Sequence, residues 1–318
     1  MPITGGAQLS TITELLREVF EPGFTEAMNR SNALLQFFKR DSFPGKSIRW
    51  KVHYQGNNSA SSYSETDNLP TAGQQRVINA ETPYRLNWVA IQVTNFALAA
   101  TKGEGGFVDL LAFETKEALE DLKNEINRQL MVRKKADMLR PTDLDGLGVI
   151  VDDGQVDPTV TGYAGISFST NPWWKPYVLA NGGTPRSLTI ALLQQMRAEL
   201  SKPPRRAQTD RIITSLTHYY QYGDLLASLR RYAPNETLDA GYPTLAFDGI
   251  KFTGIPELPT GDIYFLTTED WGYYVLQNFK TEEKPVNGDA RMFIVTHYSQ
   301  LVCRALHKQG RITDLTTV

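Results

Sequence analysis

The chain has 318 residues, of which 41% are hydrophobic and 21% charged, and a formal net charge of -2. That length allows two or three cores, or one elongated body with extensions, while the near-neutral charge argues against a protein whose main work is to grip nucleic acid. A single cysteine, Cys303, rules out an intrachain disulfide, and no stretch approaches the roughly 20 apolar residues of a membrane helix.

In chain order, the start has no basic region followed by an apolar one, so no secretory signal is expected. Residues 10–21 have the spacing of a short amphipathic helix, with Ile12, Leu15, Leu16, Val19 and Phe20 on one side. Thr11 and Glu14 fit a capping box, and Pro22-Gly23 ends the run. So short a helix is marginal in water alone. Leu15 and Phe20 are therefore expected to rest on the chain's own core or on a neighbouring copy.

Residues 46–55 read as a strand in which Ile48, Trp50, Val52 and Tyr54 alternate with polar residues. Residues 84–95 read as a second strand, with Tyr84, Leu86 and Trp88 on one face and Val89, Ile91 and Val93 on the other. The polar connection from Gln55 to Thr82 is longer than compact domains carry without a job. The two strands are expected to be the arms of an extended ribbon. An isolated hairpin is barely stable in water, so its aromatic face needs a partner surface.

The longest helical signal covers 107–139, with Leu119, Leu122, Ile126 and Leu130 on one side and Pro141 as its stop. Loops and short strands are expected over 143–180, including Trp173-Trp174. Helices follow at 187–200 and 218–232. Strands are expected at 211–217, 249–255, 262–267, 272–279 and 292–306. The fold class is α+β.

Motifs for chemistry are incomplete. Gly45-Lys46-Ser47 resembles the tail of a phosphate loop, but Arg40 stands where the first glycine belongs and a strand follows. Gly103-Glu104-Gly105-Gly106 lacks the last glycine of a dinucleotide fingerprint, because Val108 occupies it. Asp143, Asp145, Asp152, Asp153 and Asp157 cluster without the alternation and closing glutamate of a calcium loop. His53, His218, His297 and His307 fall in no zinc spacing. The basic spots Lys202–Arg206 and Arg230-Arg231 read as solvated surface. No catalytic, cofactor or metal residue is assigned. A hydrolase built on the Asp143–Asp157 cluster is the enzymatic alternative, and it lacks a nucleophile–base pair.

The order of parts, a short arm, a long ribbon, a long helix, then a β-rich body with a returning strand, resembles the tailed-bacteriophage major capsid family, the Hong Kong 97-type fold. The most specific stretch is Gly162-Tyr163-Ala164-Gly165-Ile166-Ser167-Phe168-Ser169-Thr170-Asn171-Pro172-Trp173-Trp174. The runs Leu245–Phe252 and Thr260–Leu266 are also similar to the family's apical hairpin.

The resemblance implies an N-terminal arm at 1–43, an extended loop at 44–92 and a peripheral domain at 93–204 with a spine helix at 107–139. It further implies an axial domain at 205–287 and a return strand at 288–318. The implied function is self-assembly into pentamers and hexamers of an icosahedral shell around double-stranded DNA, in a virion assembled in the host cytoplasm. Implied partners are copies of the chain, a separate scaffolding protein, a portal and decoration proteins, with no membrane and no cofactor. Some relatives crosslink a loop lysine to a neighbour, yet no lysine lies between Lys51 and Lys102 here, so a non-covalent shell is expected. Trp50, Tyr54, Tyr84 and Trp88, with Leu15 and Phe20 of the arm, are the expected subunit contacts. An encapsulin-like compartment is the alternative on the same fold.

Overall fold

A computed structural model describes residues 34–54, 62, 64–65, 77–94, 104–227, 245–285 and 290–317, with the backbone alone over 104–112. The expected helix at 10–21, with Leu15 and Phe20, lies outside the described residues, as does Arg230-Arg231.

Two sheets organise the chain. The first has four strands in the order β1-β12-β13-β4. Here β1 is Lys39–Asp41, β4 is Arg85–Thr94, β12 is Trp271–Lys284 and β13 is Ala290–Cys303. β12 and β13 form the long central hairpin, and β4 runs antiparallel to β13 from Arg85↔Ser299 to Thr94↔Ala290. Its inner face carries Ile91, Val93, Phe279, Phe293 and Val295, all buried.

Helix α1, Glu104–Leu130, lies on this face through Leu119, Leu122, Ile126 and Leu130. That three-and-four spacing makes one apolar stripe. At 1.5 Å per residue the helix is about 40 Å long. It ends well before Pro141, correcting the expected 107–139. The reason is local. Leu144–Gly148 folds over the last turn: Gly148 N–H donates to Val132 O at 3.1 Å, and Leu144 N–H to the Gln129 side chain at 3.1 Å. A Cβ at Gly146 would stand 2.4 Å from Gln129 O, so only glycine admits this crossing. The crossing thus caps the segment that follows the helix, at Val132 O, while Met131 and Val132 N–H close the last turn on Asn127, Arg128 and Gln129 O.

The expected ribbon also changes. Strand β2, Ser47–His53, pairs with β3, Val77–Pro83, and not with residues 84–95. β3 sits inside the stretch read as a polar connection. Its Asn, Glu and Thr hide the strand signal, but Ile78, Ala80 and Thr82 still alternate inward. Ala80, fully buried, stands opposite Trp50, where a small residue makes room for an indole. Arg49 and Glu81 form a cross-strand ion pair at 3.1 Å.

The second sheet has six strands in the order β7-β14-β11-β8-β10-β9. They are β7 Tyr177–Leu179, β8 Arg211–Ser215, β9 Leu245–Phe247, β10 Ile250–Ile255, β11 Ile263–Leu266 and β14 Gly310–Ile312. One face, with Ile212, Phe252, Ile263, Phe265 and Ile312, packs under α2 (Ile190–Ser201) and α3 (Leu216–Ala227). The other, with Ile213, Ile255, Tyr264 and Leu266, joins the core under α1. A sheet covered on both sides explains why β11 is buried at every position.

Between the two bodies sits a buried ionic knot. Asp262 receives Arg311 Nη2 at 2.6 Å and Arg133 Nε at 2.8 Å. Arg311 also donates to Gly148 O at 2.9 Å and Arg133 O at 3.2 Å, and Arg133 reaches Thr313 Oγ1 at 3.0 Å. Burial alone would raise the Asp262 pKa, but the two guanidinium groups hold it below the ordinary carboxylate range. Replacing Asp262 by Ala leaves Arg311 buried and uncompensated, and should cost about 3–5 kcal/mol in urea unfolding. Lys202→Ala, which breaks the more exposed pair with Glu199, should cost within about 1 kcal/mol in the same assay.

Candidate assembly surface

The expected contact residues separate into two groups. The inward face of the ribbon is taken up by the chain's own body. Ile48 and Tyr84 are buried with Tyr274 and Val302, and the Tyr84 hydroxyl donates to Phe43 O at 2.6 Å. Trp50 is half-buried, its Nε1 donating to Arg304 O at 3.2 Å. Both aromatic side chains therefore hold the ribbon to its own body.

The receiving surface is the stretch 162–174. Strands β5 (Gly162–Tyr163) and β6 (Ile166–Ser167) form a two-residue hairpin with Ala164 at φ 53° and Gly165 at φ 76°. Positive φ at both central residues is the turn that matches strand twist. Ala164 O accepts the Glu81 N–H of β3 at 3.0 Å. Tyr163 packs under Trp50, with ring centroids 6.5 Å apart, and its hydroxyl accepts the Cys303 N–H at 2.9 Å. Tyr54 stacks on Trp173 at 5.7 Å.

Trp88 behaves differently. It is 59% exposed, and its neighbour two positions away, Leu86, is 62% exposed. Both lie on the outer face of the four-stranded sheet. The register places Leu86 opposite Tyr298, Trp88 opposite Thr296 and Ala90 opposite Ile294. Met292, Ile294 and Tyr298 are half-buried. The result is an apolar strip along β4 and β13. Glu282, flanked by Lys280 and Lys284 at 2.8 Å each, rims it on β12. Those lysines push the Glu282 carboxyl down to about 2. An apolar centre with a charged rim is the anatomy of a protein–protein contact. The sequence did carry a sign of this strip: in β13 both alternating sets, Phe293/Val295 and Met292/Ile294/Tyr298, are apolar.

The acidic cluster is occupied by structural bonds. Asp143 pairs with Arg128 at 2.9 Å, and Asp145 with Gln300 at 2.7 Å and Arg85 at 3.4 Å. Asp152 accepts the backbone N–H groups of Gly154 and Asp157, and Asp157 accepts those of Thr159 and Ala136. Among the described residues no group of His, Cys, Asp and Glu is arranged to hold a metal. His218 is fully buried, accepting the Gly261 N–H at 2.8 Å. Cys303 is buried, and burial pushes its thiol up. One open cleft of about 630 Å³ lies between the end of α1 and the Glu257–Pro259 turn, lined also by Arg128, Met131 and Leu139.

Beneath the strip, on the inner face, His297 is fully buried and stacks on Phe279 at 4.5 Å. With the Tyr273 hydroxyl donating to Ser299 at 2.8 Å, the contact at 3.0 Å requires His297 Nε2–H to donate to the phenol oxygen. Burial, then the charge of Arg40, lowers its pKa from 6.5 to about 3. The folded imidazole therefore refuses a proton that the unfolded one accepts. Stability from this group is complete above about pH 6.5 and is lost on acidification towards pH 3, by up to about 1.4 kcal/mol per pH unit. Urea midpoints should fall between pH 7.5 and 5, and His297→Gln, which keeps a donor but does not titrate, should lessen that dependence, leaving the part due to His307, whose pKa burial lowers to about 4.

Against known proteins, a family model described as "SU10 major capsid protein" matches residues 88–316. No curated protein matches the sequence. Among solved structures, the chain is similar to the cyanophage A-1(L) capsid asymmetric unit, with TM-score 0.70 and 18% identity over 90% of this chain and 93% of that one. The capsid of the native GTA particle gives TM-score 0.59 at 10% identity, covering 90% and 91%. The SrpI encapsulin of Synechococcus elongatus PCC 7942 gives 0.56 at 11%, covering 90% and 88%. These likenesses show a shared shell-protein fold.

Proposed function

This chain belongs to the SU10 major capsid protein family, and from that premise we propose how its residues build the shell of a phage. As a major capsid protein it works by contact with copies of itself. In the proposed arrangement the copies close into pentamers and hexamers of an icosahedral shell around double-stranded DNA. The proposed parts depart from the expected bounds at 205 and 288: the four-stranded sheet, which includes β12, forms with α1 the peripheral part, and the six-stranded sheet, which includes β7 and β14, forms with α2 and α3 the axial part at capsomer centres. The arm at 1–43 and the loop at 44–92 reach neighbouring subunits. A separate scaffold guides assembly in the host cytoplasm, and a portal and decoration proteins complete the virion.

The observation that carries the contact proposal is the uncovered strip on β4 and β13. Large exposed apolar patches rimmed by polar groups mark interaction sites. Trp88 is its anchor, since buried aromatics dominate interface energetics. Tyr54 is a lesser contact at the ribbon, while Trp50 and Tyr84 support it from below. The absence of lysine between Lys51 and Lys102 favours a shell held by non-covalent contacts. Many modest contacts sum, because each later one is effectively intramolecular.

An encapsulin shell shares the fold, but the family match favours the capsid reading. Electron microscopy of particles, with their cargo identified as nucleic acid or protein, separates the two. Trp88→Glu should leave subunit stability within about 0.5 kcal/mol, as for an ordinary surface change. It should also raise the concentration needed for assembly by roughly 30-fold, the factor for about 2 kcal/mol at an anchor. Shells forming at wild-type concentration in that variant would remove Trp88 from the interface.

A further inference from the structure

The ribbon β2–β3 is a two-stranded sheet, joined by hydrogen bonds to no third strand among the described residues. Such a hairpin does not hold its own direction in water. Its base is held by Ile48 and Tyr84 against Tyr274 and Val302 and by Trp50 on Arg304 O, and beyond that base the 162–174 stretch grips it at three levels. The Glu81 N–H bonds Ala164 O, Trp50 rests on Tyr163, and Tyr54 stacks on Trp173 with 22° between the ring planes.

Trp173 is mounted on a rigid support. It sits in the turn Pro172–Trp174, where the proline fixes one backbone angle. The Asn171 N–H donates to Ser167 O at 3.0 Å, and the Trp174 N–H to Asn171 O at 3.0 Å. The edge of Trp173 meets Trp174 at 5.6 Å and 61°. Trp174 is fully buried, and its Nε1 donates to Tyr163 O at 3.3 Å. Trp174 fills the core. Trp173 is left half-buried, reaching from that core to the far end of β2, where Tyr54 meets it.

We propose that Trp173 is a positioning residue: by stacking with Tyr54 it fixes the angle at which the ribbon leaves the body, and so where the ribbon meets a second copy of the chain. The proposal rests on the shell reading given above. A ring pair at a partly exposed site biases the docked orientation by about tenfold. That is enough to select one direction and small enough to leave the fold intact without it.

Two readouts test it. In the unassembled subunit, amide hydrogen exchange at Glu81 should rise about tenfold in Trp173→Ala and in Tyr54→Ala, and return to the wild-type rate in Trp173→Phe and Tyr54→Phe. In assembly, followed by size-exclusion chromatography and negative-stain microscopy, the two alanine variants should need about tenfold more protein and give irregular particles. The phenylalanine variants should form regular ones. Urea midpoints would separate a merely structural role, which lowers the midpoint without moving assembly of the folded fraction. Unchanged Glu81 exchange in both alanine variants, or regular shells from both at wild-type concentration, overturns the proposal. A wild-type chain that forms no shell under any condition overturns the shell reading instead, and the exchange measurement still decides the role of Trp173.

Discussion

The buried knot of Asp262 with Arg133 and Arg311 is the constraint on which the rest of the molecule depends. Asp262 immediately precedes β11 of the six-stranded sheet, Arg311 belongs to the neighbouring β14, and Arg133 follows the end of α1. Three segments far apart in sequence meet through one carboxylate. Two charges shielded from water interact strongly only when their geometry and remaining hydrogen bonds are satisfied. Gly148 O and Arg133 O supply much of that satisfaction, which in turn requires the 146–148 segment to cross the end of the helix. The helix end, the crossing and β14 are therefore one device. It ties the end of α1 to the six-stranded sheet.

With that joint made, the apolar surfaces of the described residues fall into covered and open sets. Both faces of the six-stranded sheet are covered within the subunit. The inner face of the four-stranded sheet is covered by α1, and the inward face of the ribbon is covered by the 162–174 stretch. The outer face of β4 and β13 is left, with Leu86 and Trp88 more than half exposed. For a family whose function is self-association, this asymmetry is informative. Among the described residues, this strip is the apolar surface that a copy of the chain would cover in the proposed shell.

Two tryptophans, Trp50 in β2 and Trp88 in β4, serve opposite ends. Trp50 and Trp88 look alike in sequence, each within an alternating run. Trp50 faces Ala80 across a strand pair and bonds Arg304 O. Trp88 faces Thr296 on the open side of another sheet. The difference comes from which strand each one pairs with: β2 pairs with β3, with Ala80 opposite Trp50, while β4 pairs with the distant β13, with Thr296 opposite Trp88. The acidic cluster teaches the same lesson in reverse. Its density suggested chemistry, but each carboxylate is engaged by nearby arginines, side-chain amides or loop N–H groups.

The sequence by itself determined what is local. Periodicity placed α1, α2, β2, β4 and, as separate strands, parts of β12 and β13, because 3.6-residue and two-residue repeats record which side of an element is dry. The order of those parts, with the 162–174 stretch, identified the family. Tertiary structure alone decided the rest: that β3, with its weakly patterned Asn, Ala, Glu and Thr, is the partner of β2; that α1 stops at Leu130; and that Tyr84 is buried while Trp88 is open. Those outcomes turn on non-local partners, a small residue opposite an indole, a glycine crossing a helix end, a carboxylate between two guanidinium groups. A linear pattern holds no record of which distant segment supplies them.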